Sequence, residues 1–181
     1  MIQYKDWHYG GPICKIPVPI LEELNNCYNI FSAKEPDYLE PNYFQWFVQN
    51  SLGIPFDETS WVQWNDYNLL EKTKLFFSQY VSSIFRFRFS LLHENSDVAY
   101  HFAHQLPRIH IPLNDSLSQM IIKNNDGQEN YIELTYGYAY FVNVTKLHRV
   151  IGDVNKVRCN AFFSFTNFVD LNIKNQYTIN I

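Results

Sequence analysis

Three histidines and an arginine lie within ten residues of one another in the segment YHFAHQLPRIHIPLND, residues 100–115. Histidine is an unusual choice for filling a sheet, but it is the commonest protein ligand of metal ions. If the segment is extended, His101 and His104 point to opposite faces, whereas Arg108 and His110 share one face. A buried arginine requires an anion, because an unpaired buried charge is very costly. The pattern therefore predicts a polar cavity.

A second constellation lies downstream, where His148 precedes Arg158 by ten residues. Both residues stand in apolar, strand-like segments with a turn signal between them. A histidine on one strand and an arginine on the next antiparallel strand would enter the same cavity. The imidazole can bind a metal, and the planar guanidinium can bind a carboxylate through two hydrogen bonds.

The predicted secondary structure that positions these residues changes from helix to strand near residue 84. From there the apolar positions recur every second residue, which predicts strands separated by turn signals such as NNDGQ and GDVNK. Eight short antiparallel strands favour two packed sheets, as in a jelly roll or small barrel. The predicted strands are FRFRFSLL, VAYHFAH, RIHIPL, SQMIIKN, ENYIELTYG, YAYFVNV, HRVIGD and RCNAFFSFTNF.

The helical signals lie in residues 1–83. Apolar residues at helical spacing predict helices at 19–31, 42–53 and 65–85, and the last pattern is the strongest. These helices would support one face of the strand-rich region. The chain does not alternate strands and helices, which argues against a doubly wound parallel sheet.

Composition narrows the class of protein further. The chain has 181 residues, and its aromatic content of 18% favours a β-rich interior. A net charge of −4 without any basic run argues against nucleic-acid binding. Three cysteines match no zinc pattern and indicate a reducing compartment. Since no signal peptide or membrane-length apolar run is apparent, we expect a cytoplasmic protein with no nucleic-acid or membrane partner.

Taken in order, the motifs resemble those of the aspartyl/asparaginyl β-hydroxylase family of Fe(II)- and 2-oxoglutarate-dependent oxygenases, which also includes hydroxylases of free amino acids. The resemblance covers roughly 84–168. The ordered set, with its ten-residue spacing from histidine to arginine, is more specific than any one motif. The matching residues are H-x-A at 101–103, PRIHIPL at 107–113, GYAYFVN at 137–143, HRV at 148–150 and Arg158.

The resemblance implies a mainly β (α+β) fold: a cupin-like double-stranded β-helix, or jelly roll, over 84–168 of a single domain, 1–181, with 1–83 as the helical support. It implies an enzyme that uses Fe(II), 2-oxoglutarate and O₂ to hydroxylate a peptidyl or free amino acid. The implied site residues are His101 and His148 as iron ligands, Arg158 as partner of the distal 2-oxoglutarate carboxylate, and Arg108, His110 and Ser90 as further co-substrate contacts.

Position 103 departs from the family pattern of H-x-D or H-x-G, because Ala103 cannot bind a metal. Three interpretations stay open: iron on two histidines with water, chloride in the vacant position as in related halogenases, or a decayed site in a non-catalytic cupin-like binding protein. His104 or Asp97 could replace the missing ligand, although strand alternation disfavours His104 unless a bulge turns it inward.

Overall fold

The computed structural model describes residues 9–53, 57–66, 68–102 and 106–169. These ranges contain two α-helices, α1 (Val18–Ser32) and α2 (Glu71–Phe77), and a short 3₁₀ turn at Glu58–Ser60. The strands are β1 (Gly10–Lys15), β2 (Tyr38–Glu40), β3 (Tyr43–Phe47), β4 (Gln49–Ser51), β5 (Trp61–Trp64), β6 (Phe85–Leu92), β7 (Asp97–His101), β8 (Arg108–Pro112), β9 (Gln119–Lys123), β10 (Glu129–Glu133), β11 (Tyr138–Val142), β12 (His148–Ile151) and β13 (Arg158–Ser164).

Two antiparallel sheets make up the body of the protein. The larger has seven strands in the order β1-β11-β8-β13-β6-β3-β2, and the smaller has four in the order β10-β9-β12-β7. Strands β4 and β5 form a separate hairpin. Each of the eight predicted strand segments overlaps one of the strands β6 to β13. The predicted mainly β fold with large antiparallel sheets is therefore confirmed.

Strand alternation gives the seven-stranded sheet two different faces. Ile109 and Ile111 of β8 are fully buried in the hydrophobic core, whereas Arg108 and His110 lie on the other face. Helix α1 covers the apolar face with five buried side chains. It matches the helix predicted at 19–31. The residues that α1 contributes are Ile20, Leu21, Leu24, Cys27 and Phe31.

The other two helix predictions fail in part. The helix expected at 42–53 is wrong, because this segment forms β3 and β4. Its aromatic residues pair with β6, and Trp46 enters the core from one face of β3. The helix expected at 65–85 is shorter, since α2 is the only helix among the described residues of that range. Leu70, with φ at 60°, is in the left-handed region and breaks the helical conformation just before α2. Neither described helix is long and apolar enough to cross a membrane.

Candidate metal and co-substrate site

His101 and His148 lie directly opposite each other on the antiparallel strands β7 and β12. Their ring centroids are 4.3 Å apart, and the ring planes are inclined at 54°. Directly opposed residues on paired strands have neighbouring side chains on one face. The two imidazoles therefore converge, as their positions in the sequence motifs led us to expect.

A β-bulge in β7 turns His101 toward the cavity. His101 is opposite His148 and Val98 is opposite Val150, so three steps along β7 match two steps along β12. The extra residue reverses the alternation locally, which lets both His101 and Val98 line the same cavity. Simple alternation within β7 would have placed these two residues on opposite faces.

The backbone fixes how each imidazole presents its ring nitrogens. Nδ1 of His101 lies 2.8 Å from the carbonyl oxygen of Ala99, and Nδ1 of His148 lies 2.9 Å from that of Lys146. A carbonyl only accepts, so each Nδ1–H donates, and in the neutral form of such a ring Nε2 carries the lone pair. Burial is the main cause that lowers the pKa of His148 to about 4. His148 is therefore neutral near pH 7, as a metal ligand must be.

The histidines open onto a small cavity of about 50 Å³ between the two sheets. Beside the two histidines and Tyr43, its polar lining comes from alternate residues of three adjacent strands of the larger sheet: β6, β8 and β13. Ser90 and Asn160 are opposite each other in the pairing of β6 with β13. The cavity-lining residues from these three strands are Ser90, Leu92, Arg108, His110, Arg158, Asn160 and Phe162.

Arg158 is a buried cation on the larger sheet. It is 6% exposed, and burial lowers its pKa to about 10, which leaves it charged at neutral pH. Its Nη2 approaches Nδ1 of His110 at 3.4 Å, and no described carboxylate lies within ion-pair distance. Because an uncompensated buried charge is costly, this position is suited to an anionic ligand.

Arg108 also lines the cavity, but the sequence did not predict its acidic partner. Its Nη2 donates a 3.2 Å hydrogen bond to Glu58, which is fully buried. The same carboxylate lies 3.7 Å from Arg86 and 3.8 Å from Arg88. The alternating arginines in FRFRF signal buried positive charge, but sequence spacing does not reveal which distant carboxylate compensates it.

An open groove of about 690 Å³ continues from the cavity to the surface. Tyr43, Val98, His101 and Arg108 line both spaces, so the groove leads to the histidine pair. Strands β2 and β3 form one side, and residues of β7 with Phe102 form the other. The groove offers a binding place for a molecule too large for the inner cavity.

Ala103 and His104 lie outside the described residues, so the predictions that concern these two positions stay predictions. Asp97 is described, and it pairs with Arg149, whose Nε donates a 2.7 Å hydrogen bond to it. The Asp97 side chain is 47% exposed and is thus engaged away from the histidines. Within the described ranges no third histidine, cysteine or acidic residue joins His101 and His148 as a metal-binding group.

Comparison with known proteins gives matches only among solved structures. No protein-family model and no curated protein matches the chain. A structure described as an oxidoreductase of the 2OG-Fe(II) oxygenase family from Burkholderia pseudomallei aligns with a TM-score of 0.66 at 10% identity, covering 91% of this chain and 90% of that one. The chain shares its fold with a 2OG-Fe(II) oxygenase.

Two further structures define how far that likeness extends. A Pseudomonas putida prolyl-4-hydroxylase aligns with a TM-score of 0.60 at 13% identity, covering 91% of this chain and 97% of that one. A recombinant pro-11S globulin of pumpkin reaches 0.50 at 12% identity, covering 78% of this chain and 31% of that one. The fold thus also occurs outside the oxygenases, and function must be argued from the site.

Proposed function

We propose that this protein is an Fe(II)/2-oxoglutarate-dependent oxygenase that hydroxylates a peptidyl or free amino acid and holds iron with His101 and His148. One observation carries the proposal: two converging imidazoles stand at a cavity that also contains a buried arginine without a described acidic partner. The first feature suits a metal and the second suits a dicarboxylate. Their combination in one cavity is what this reaction requires.

The residues fit iron and 2-oxoglutarate chemically. Two imidazoles whose Nδ1 atoms face backbone carbonyls present Nε2 to the cavity and are suitable ligands for a divalent transition metal. Arg158 would bind the distal carboxylate of 2-oxoglutarate, with His110 and Ser90 as further hydrogen-bond partners on the same cavity wall. Bound iron and 2-oxoglutarate together supply the activation of O₂ for insertion of an oxygen atom into a C–H bond.

The groove would position the substrate. It reaches His101 from the surface, so a substrate that lies in it presents its C–H bond beside the metal ligands. Tyr43 and Val98 line both spaces and would limit water access to the cavity during the oxidation once a substrate lies against them. The two oxygenases of similar fold support the reaction class, and the motif resemblance supports an amino-acid substrate.

A direct test adds Fe(II) and 2-oxoglutarate to the metal-free protein without oxygen and records the visible spectrum. We expect the weak charge-transfer band of an iron–2-oxoglutarate complex, followed by formation of succinate when air is admitted. His148→Ala should give neither signal, and His93→Ala, outside the cavity, should give both. If the unmodified protein gives neither, the oxygenase proposal fails and a non-catalytic binding protein is favoured. A band that shifts with chloride would favour a halogenase.

A further inference from the structure

Asn160 and Arg158 converge on one ring nitrogen of His110. Asn160 lies two residues after Arg158 on β13, so both side chains point to the same face of the sheet. The Asn160 side chain is fully buried, and its Nδ2 lies 3.0 Å from Nδ1 of His110. Nη2 of Arg158 lies 3.4 Å from the same nitrogen.

This contact pattern determines the tautomer of His110. A guanidinium has donors only, so Nδ1 of His110 must act as the acceptor toward Arg158. The amide of Asn160 then also presents its NH₂ group to Nδ1 rather than its oxygen. Burial and the nearby charge of Arg158 lower the pKa of His110 well below its usual range, so the ring is neutral. Its single N–H is therefore on Nε2.

The Nε2–H group of His110 is left for a ligand. Nε2 is buried and has no hydrogen-bond partner among the described residues. The ring stacks parallel to Phe162, with centroids 5.0 Å apart and planes inclined by 3°, so its orientation is fixed. A buried donor without a partner is costly, and a carboxylate oxygen beside Arg158 would satisfy it.

We propose that Asn160 is a positioning residue that holds His110 as an Nε2–H donor toward the carboxylate bound by Arg158. The proposal rests on the proposed function, because that carboxylate is taken to belong to 2-oxoglutarate. An asparagine suits this task better than an aspartate. The carboxylate of an aspartate would accept from Nδ1–H, reverse the tautomer, and pair with Arg158 in place of the ligand.

The test uses the metal-free protein labelled with ¹⁵N in its histidines, because ¹⁵N shifts and couplings identify the protonated ring nitrogen. The His110 signals are assigned by their loss in His110→Gln. We expect the unmodified protein to carry the hydrogen on Nε2. Asn160→Ala should produce a mixture of tautomers, and Asn160→Asp should move the hydrogen to Nδ1. Asn114→Ala is the matched control, since Asn114 supports the start of β13 through Val157 and Cys159 without contacting His110.

Binding of 2-oxoglutarate to the Fe(II)-loaded protein under argon is the second measurement. Loss of a supporting hydrogen bond of this kind should weaken binding about tenfold in Asn160→Ala. The proposal is overturned if His110 carries its hydrogen on Nδ1 in the unmodified protein, or if Asn160→Ala changes neither tautomer nor affinity. If Asn160→Ala shifts the tautomer but the unmodified protein does not bind 2-oxoglutarate, the positioning holds and the oxygenase proposal fails.

Discussion

Arg108 donates a 3.2 Å hydrogen bond to Glu58, a residue fifty positions earlier in the chain. The carboxylate is fully buried and also lies within ion-pair distance of Arg86 and Arg88. Arg88 is in turn stacked on the face of Phe162, with its guanidinium carbon 4.4 Å from the ring centroid. One carboxylate thus compensates part of a positive cluster at the junction of the cavity and the groove.

Glu58→Gln should strongly destabilise the protein. Removing one partner of a buried ion pair leaves the other charge uncompensated, which typically costs about 3–5 kcal/mol. Urea denaturation of the metal-free protein would measure the free energy of unfolding. Asp115→Asn, which breaks the exposed pair with Lys156, should change it little. Equal denaturation midpoints for the two variants would contradict this account of the arginine cluster.

His148→Ala should abolish tight binding of Fe(II). The variant leaves one imidazole in the described pair, and a single ligand does not hold a divalent ion against water. Anaerobic titration calorimetry with Fe(II) measures the affinity. His93→Ala is the control, because the His93 ring packs on Phe44, away from the cavity. Retention of full iron affinity in His148→Ala would show that the ligand assignment is wrong.

Arg158→Gln should weaken the binding of 2-oxoglutarate without changing the binding of Fe(II). We expect unchanged Fe(II) affinity, because Arg158 contacts neither of the two proposed iron ligands. Binding of 2-oxoglutarate should weaken by about 10- to 100-fold through loss of a charge-assisted pair. The visible band titrated with 2-oxoglutarate reports the affinity. Arg149→Gln removes the same charge on the outer side of β12 and should bind 2-oxoglutarate normally. If both variants weaken binding equally, only the net charge matters.

The metal-free protein should lose stability as the pH falls below about 6.5. Burial lowers the pKa of His148 to about 4 and that of His110 well below its usual value. The unfolded chain takes up these protons near pH 6.5 and the folded chain does not, so each histidine removes about 1.4 kcal/mol per pH unit in this window. Urea denaturation between pH 7.5 and 4.5 measures the slope. His110→Gln should flatten it, and an unchanged slope in that variant would refute the assignment.

Glu23→Ala should destabilise α2. Glu23, on α1, accepts hydrogen bonds from the backbone N–H groups of Lys72 and Thr73 at 3.0 and 2.7 Å, and thus caps a helix that lacks a side-chain cap of its own. Loss of a cap costs about 0.5–2 kcal/mol. Thermal or urea denaturation measures the loss, and Glu22→Ala on the exposed side of α1 is the comparison. Equal stability of the two variants would mean that the cap contributes nothing.

Local patterns in the sequence predicted much of the fold and the candidate site. The alternation in RIHIPL separated Arg108 and His110 from the core residue Ile109, because alternation is a property of the strand itself. His148 and Arg158 line one cavity, but they face each other from two different sheets rather than from paired neighbouring strands.

Pairings between segments that are distant in the chain were harder to predict from the sequence. The segment 42–53 was predicted to be a helix, although its first half, β3, pairs with β6 some forty residues later and its second half, β4, pairs with β5. Sheet pairing overrides local periodicity here. The partner of Arg108 could not be chosen from the sequence either. Glu58 is one of 18 acidic residues, and only the fold brings it to the arginines.

The bulge in β7 places one more residue between Val98 and His101 than a regular ladder needs. Deleting a single codon between them would restore regular pairing and leave both side chains on the cavity side, because residues two apart in a strand share a face. A homologue with a one-residue gap at this point would therefore still present facing histidines, whereas a substitution that flattened the bulge at constant length would turn Val98 or His101 away.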